Sequence, residues 1–74
     1  MYLSGDRARG IAAAQRAVAL APQVPGYRLV LGKMLEFKER YAEAMAEYEA
    51  FLRLAPAHDE APRVRLALRL LKER

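Results

Sequence analysis

The groups in this 74-residue chain that could do chemistry are a single imidazole, a single serine hydroxyl and a scatter of carboxylates. His58 stands beside Asp59, two residues after Pro56, and could in principle act as a general base. Its setting in a proline-containing turn marks it instead as an exposed turn histidine. Ser4 has no His or Asp at a fixed spacing that would activate it, so a Ser–His–Asp arrangement is not credible. Glu36, Glu39, Glu43, Glu47 and Glu49 suggest a carboxylate pair or a metal site. Helical spacing makes them a solvated face instead, with Glu36/Arg40 and Glu49/Arg53 as i,i+4 pairs. There is no cysteine, and one histidine cannot make a zinc site. Gly5 and Gly10 lack the following Lys-Ser/Thr of a phosphate loop. No catalytic residue, no metal-ligand set and no cofactor are expected.

The formal charge is +4. Arg63, Arg65, Arg69, Lys72 and Arg74 crowd the C-terminal segment, and Arg65, Arg69 and Lys72 share one helical face. Such a face could grip the phosphates of RNA or another polyanion. No aromatic residues interleave with these cations, as base stacking would require. Alanine is abundant as well, and Ala and Arg often rise together through codon usage. The face therefore reads first as the polar outer side of a terminal helix.

The elements that must position these residues are helices. Apolar residues make up 54% and charged residues 30% of the chain, a balance that suits a folded domain. Sustained apolar–polar alternation is absent and helix formers dominate, so an all-α fold is expected. The first helix is predicted over Asp6–Leu20, after a break at Gly5-Asp6, with Ile11, Ala14, Ala17, Val18 and Ala21 as its apolar stripe. Pro22 stops it and Pro25 starts a second helix that reaches about Lys38. That helix carries Tyr27, Val30, Leu31, Met34, Leu35 and Phe37. The polar run Lys38–Arg40 makes a tight turn. A third helix follows over Tyr41–Leu54, with Tyr41, Ala44, Met45, Tyr48, Phe51 and Leu52 inward, and Pro56 ends it. Asp59 is the expected cap of a fourth helix, where Pro62 is tolerable only in the first turn.

Leu20-Ala21-Pro22 recurs as Leu54-Ala55-Pro56, a spacing of 34 residues. Gly10 with Ala44, Ile11 with Met45 and Ala14 with Tyr48 agree in kind at that distance. A recurrence of this length marks stacked helical hairpins, because one hairpin cannot bury its apolar face alone. The stretch Leu31-Gly32, Leu35, Arg40-Tyr41, Glu43-Ala44, Tyr48 and Leu54-Ala55-Pro56 resembles the tetratricopeptide repeat family. The resemblance implies antiparallel helix hairpins stacked in a superhelix: the end of one repeat over residues 1–22, a complete repeat over 23–56 and a capping helix over 57–74. It implies that Gly32 and Ala44 meet where two helices cross closely, and that Tyr41 and Tyr48 fill the space between hairpins. Arg28 departs from the pattern, standing where the family often has a large aromatic. The fourth helix matches only after a one-residue shift, which sets Arg65 opposite Gly32.

The same resemblance implies a protein–protein interaction scaffold whose concave face binds a peptide or helix. Its groove residues would be Leu29, Val30, Lys33, Glu36 and Phe37, with Pro62, Val64 or Arg65 added from the fourth helix. The set lacks the Lys/Asn pattern with which some members hold a terminal carboxylate, so an apolar or mixed partner is expected. A nucleic-acid partner is the lesser alternative. The first helix is expected to leave apolar surface uncovered and to pair with a second copy, making a homodimer. No run approaches a membrane span and no signal-peptide pattern opens the chain. A cytoplasmic location is the default expectation, and a fragment of an exported protein would read the same.

Overall fold

The prolines mark the helix boundaries in the computed structural model, which describes residues 3–73, with side chains from residue 10 onward. Four helices follow one another: α1 (Leu3–Leu20), α2 (Pro25–Phe37), α3 (Tyr41–Leu54) and α4 (Ala61–Lys72), with no strand among the described residues. Each packs on its neighbours in the chain, α1 on α2, α2 on α3 and α3 on α4, with α2 against α3 the most extensive. The connections are short, so consecutive helices run in opposite directions. No described helix is long and apolar enough to cross a membrane.

Two helix starts differ from expectation. α1 begins at Leu3, not Asp6, and runs through Gly5-Asp6 without a break, so that pair links no two helices. A lone glycine costs a helix only about 1 kcal/mol, and the surrounding helix formers absorb it. The hydroxyl of Ser4 and the proposed cap at Asp6 lie outside the described side chains. At α4 the residue before the helix is Glu60, without a side-chain cap bond, and Pro62 falls in the first turn as expected. Asp59 does not cap it. Nδ1 of His58 instead accepts the Glu60 N–H at 3.0 Å, and the imidazole meets the Phe51 ring edge-on, with centroids 5.1 Å apart.

The core is built by Leu31 and Leu35 from α2, Ala44, Tyr48 and Phe51 from α3, and Val64, Leu68 and Leu71 from α4, with Ile11 from α1. Phe51 and Ala44 are fully buried. Leu29, expected in the groove, is buried with them, whereas Tyr27, Val30 and Phe37 are exposed. Arg28 takes the place of an aromatic by reaching from α2 to α3. Its Nη1 meets Glu47 Oε1 at 3.0 Å in a largely buried pair, and its Nε donates to the Pro22 carbonyl at 3.4 Å.

Gly32 is where α2 and α3 come closest, but the residue that meets it is Tyr48 rather than Ala44. A Cβ at Gly32 would lie 2.6 Å from Tyr48 Cε1 and 2.8 Å from Cδ1. A flat ring laid on a bare backbone fills the crossing better than two small residues facing each other. Tyr48 thus packs inside the hairpin and also lines the cleft that the hairpin shares with α4. Gly10 is a milder case: a Cβ there would meet only the flexible tip of Met34, at 3.4 Å.

The tight turn between α2 and α3 is closed by backbone bonds. Arg40 N–H donates to the Leu35 carbonyl at 2.9 Å, and Glu39 N–H to the Glu36 carbonyl at 2.9 Å. This is the Schellman arrangement, which places one residue in the left-handed region. Here that residue is Glu39, at φ 63°, where glycine is the usual choice. Arg40 then starts α3: its carbonyl accepts the Ala44 N–H, and its guanidinium grips Glu43 through two bonds of 2.9 and 2.8 Å.

Two predictions follow from these backbone constraints. Alanine is worth about 1 kcal/mol over glycine in a helix interior, whereas overpacking costs about 1–3 kcal/mol. Gly32→Ala should therefore lose about 1–2 kcal/mol in urea denaturation, because Tyr48 cannot withdraw. Gly10→Ala should gain up to about 1 kcal/mol. Equal shifts in the same direction would show that the Tyr48 contact does not limit the crossing. Glu39→Gly should raise stability by about 0.5–1 kcal/mol, since it removes left-handed strain and gives back only part in unfolded-chain entropy. A lower melting temperature would show that the Glu39 side chain contributes more than its backbone costs.

Candidate protein-binding groove

α2 places Val30, Lys33 and Phe37 on one face, at i, i+3 and i+7, turned away from the core. Phe37 is 64% exposed and Val30 48%. Thirty-three residues on, α4 carries Arg63, Leu66 and Leu70 at the same relative positions. Leu66 is 48% and Leu70 55% exposed, although the opposite side of the same helix is buried. Two adjoining clefts join these faces. One, of about 230 Å³, is lined by Lys33 and Glu36 on one side and Glu60 and Arg63 on the other, with Tyr48 and Leu29 beneath. The next, of about 310 Å³, runs between Glu36 and the apolar wall of Leu66, Leu70 and Leu71. Beyond Glu36 on the other side, Lys33, Phe37 and Tyr41 border a third hollow.

Glu36 is the shared member of all three, and its carboxylate is already engaged. The Tyr48 hydroxyl donates to Glu36 Oε1 at 2.6 Å, a short bond of the charge-assisted kind. Burial first, then the hydrogen bond to Glu36 and the charge of that carboxylate, push the Tyr48 phenol above its ordinary range. The expected Glu36/Arg40 pairing is replaced: Tyr48 takes Glu36, and Arg40 takes Glu43. Glu49, expected to pair with Arg53, lies 3.6 Å from Lys72 Nζ on α4.

Lys33, Glu36 and Phe37 are thus gathered in the groove, with Val30 on the same helical face. Leu29 contributes from below as a buried wall. Val64, offered as an α4 contributor, is likewise buried at 3% exposure. Arg65 does not belong to this surface. Its Nη2 donates to the Pro56 carbonyl at 2.9 Å, bracing the turn before α4, and it lines none of the three clefts. Arg63 takes its place in the groove. Leu66 and Leu70 were missed, although the one-residue shift that aligned α4 with α2 assigns them directly. The basic face of Arg65, Arg69 and Lys72 has two of its three cations occupied, by Pro56 and Glu49. Among the described residues, no group of three or more His, Cys, Asp or Glu is gathered for a metal ion.

The raised Tyr48 phenol sets a pH dependence. The folded state holds the neutral phenol, so its contribution is complete below the unfolded phenol pKa of about 10. It declines as pH rises above that value toward the elevated folded pKa. Wild-type stability should therefore fall above about pH 10 more steeply than that of Tyr48→Phe, by up to about 1.4 kcal/mol per pH unit. Parallel stability–pH curves above that point would show that the phenol is not held neutral by its site. No family model, curated protein or solved structure matches this chain.

Proposed function

We propose that this chain is a protein-interaction module of tetratricopeptide type that holds a segment of another protein between α2 and α4. The observation that carries this reading is the paired ladder of exposed side chains along the groove. Val30, Phe37, Leu66 and Leu70 are large, apolar and about half or more exposed; Leu66 and Leu70 line a cleft that reaches Glu36, Phe37 borders the hollow beyond Glu36, and Val30 lies on the same face of α2. Exposed apolar residues scattered singly are ordinary on any protein, but a contiguous set marks an interaction surface. A helix or extended peptide laid in such a groove is an established recognition mode. Catalysis plays no part in this reading, and His58 serves the turn before α4. The polyanion alternative is weakened by the engagement of Arg65 and Lys72.

A second copy of the chain is the proposed partner for the outer side of α1. Leu20 is 80% exposed at the end of that helix, and Val24 and Tyr27 are exposed just beyond. Ile11, Ala14 and Val18, by contrast, pack against the core. The self-associating surface is thus centred on Leu20 rather than on the stripe expected from the sequence. Leu20→Ser should convert a dimer to a monomer in light scattering at micromolar concentration, and a monomeric wild type would end this second reading.

The groove is tested by placing a photoreactive residue at Leu70, or at the exposed Arg53 of α3 as control, in the cells that make the protein. Crosslinks to a discrete protein from position 70, absent from 53 and abolished by Lys33→Glu with Phe37→Ala at unchanged helicity, are expected. Equal crosslinking from both positions, or indifference to the double variant, would place the binding surface elsewhere.

A further inference from the structure

The charges of the groove are not evenly satisfied. Four charged side chains line the cleft at the start of α4: Glu36, Glu60, Lys33 and Arg63. Both acids have internal compensation. Glu36 receives the Tyr48 hydroxyl at 2.6 Å. Glu60 makes no side-chain cap bond but stands at the first residue before α4, where the helix dipole favours negative charge. The cations have none. Arg28, Arg40 and Lys72 each pair with a carboxylate, whereas Lys33 and Arg63 form no ion pair among the described residues. The polarity is also graded along the groove. Arg63 stands near the start of α4, and Leu66 and Leu70 follow one and two turns later. Phe37 borders the neighbouring hollow, on the other side of Glu36.

We propose that the groove's partner is an acidic–apolar segment, with one or two carboxylates seated between Lys33 and Arg63 and a large apolar side chain against Leu66 and Leu70. This rests on the groove being the binding surface and adds the chemistry of what it binds. Complementary charge gives such a complex its register and speeds its encounter, and the apolar end supplies most of its persistence. A basic segment would set its cations against Lys33 and Arg63 and find Glu36 already occupied. A single-sign polyanion would leave the apolar half of the groove uncovered.

The probe is a displayed library of random twelve-residue peptides, selected against the full chain. Parallel selections use Lys33→Glu/Arg63→Glu and Leu66→Ser/Leu70→Ser, all four positions being solvent-exposed. Wild-type selection should enrich Asp and Glu over Lys and Arg, together with Leu, Ile or Phe. The enriched peptides should bind the charge-reversed variant about tenfold or more weakly, and added salt should narrow that difference. The charge-reversed variant should itself enrich basic peptides. Enrichment of apolar peptides with no acidic bias, lost in Leu66→Ser/Leu70→Ser, would overturn the acidic assignment and leave the groove standing. Peptides that bind all three proteins equally, or no enrichment at all, would overturn both. Circular dichroism of each variant separates loss of binding from loss of fold.

Discussion

The contact of the Tyr48 ring with the bare backbone at Gly32 sets the spacing of α2 and α3, and the rest of the molecule is arranged around it. A side chain at position 32 would hold the helices apart and open the core at Leu35 and Phe51. The same tyrosine reaches beyond the core with its hydroxyl, which fixes the carboxylate of Glu36 at the centre of the groove. A packing requirement in the interior and the polar geometry of the surface are thus met by one side chain. Buried tyrosines commonly combine a large apolar body with one satisfied polar tip. Here the tip ends at the proposed binding surface.

Polar interactions elsewhere act at the joints between helices. Arg28 with Glu47 ties α2 to α3, Arg40 with Glu43 starts α3, Lys72 with Glu49 links α4 back to α3, and Arg65 braces the turn before α4. The exposed pairs are worth little individually. The Arg28–Glu47 pair is more sheltered, with side-chain exposures of 23% and 18%, and accounts for an arginine at a position that otherwise favours an aromatic. Of the cations not committed in this way, Lys33 and Arg63 are the two that line the cleft between α2 and α4.

Much of this architecture can be read in the sequence, for physical reasons specific to each element. Proline is excluded from a helix beyond its first turn, so Pro22, Pro25, Pro56 and Pro62 mark the end of α1, the start of α2, the end of α3 and the start of α4, whereas the turn between α2 and α3 carries no proline. The start of α1 is not marked in this way, because a single glycine among strong helix formers is tolerated. The apolar stripe of α3 is legible, as Tyr48 and Phe51 recur at helical spacing. That Tyr48 covers Gly32 is not, since ring orientation is decided by the packing of a neighbouring helix. Glu36 and Arg40 stand at an ideal i,i+4 spacing, yet tertiary contacts gave each another partner. Arg65 shows the same limit: its helical position was known, but the carbonyl it would find was not. Leu66 and Leu70 are legible in the 33-residue register of α4 with α2, as the counterparts of Lys33 and Phe37.

The order of packing has a consequence for how long the groove lasts. Each helix contacts only its neighbours in sequence, so the molecule behaves as a short one-dimensional stack whose ends can open separately. The backbone of α4 comes close to α3 and not to α2 among the described residues, whereas the groove needs α2 and α4 together. Whenever α4 lifts away, half of the binding surface leaves with it. Occupancy of the groove and docking of α4 are therefore thermodynamically linked: a bound segment bridges two helices whose backbones do not meet, and in doing so it closes the open end of the stack.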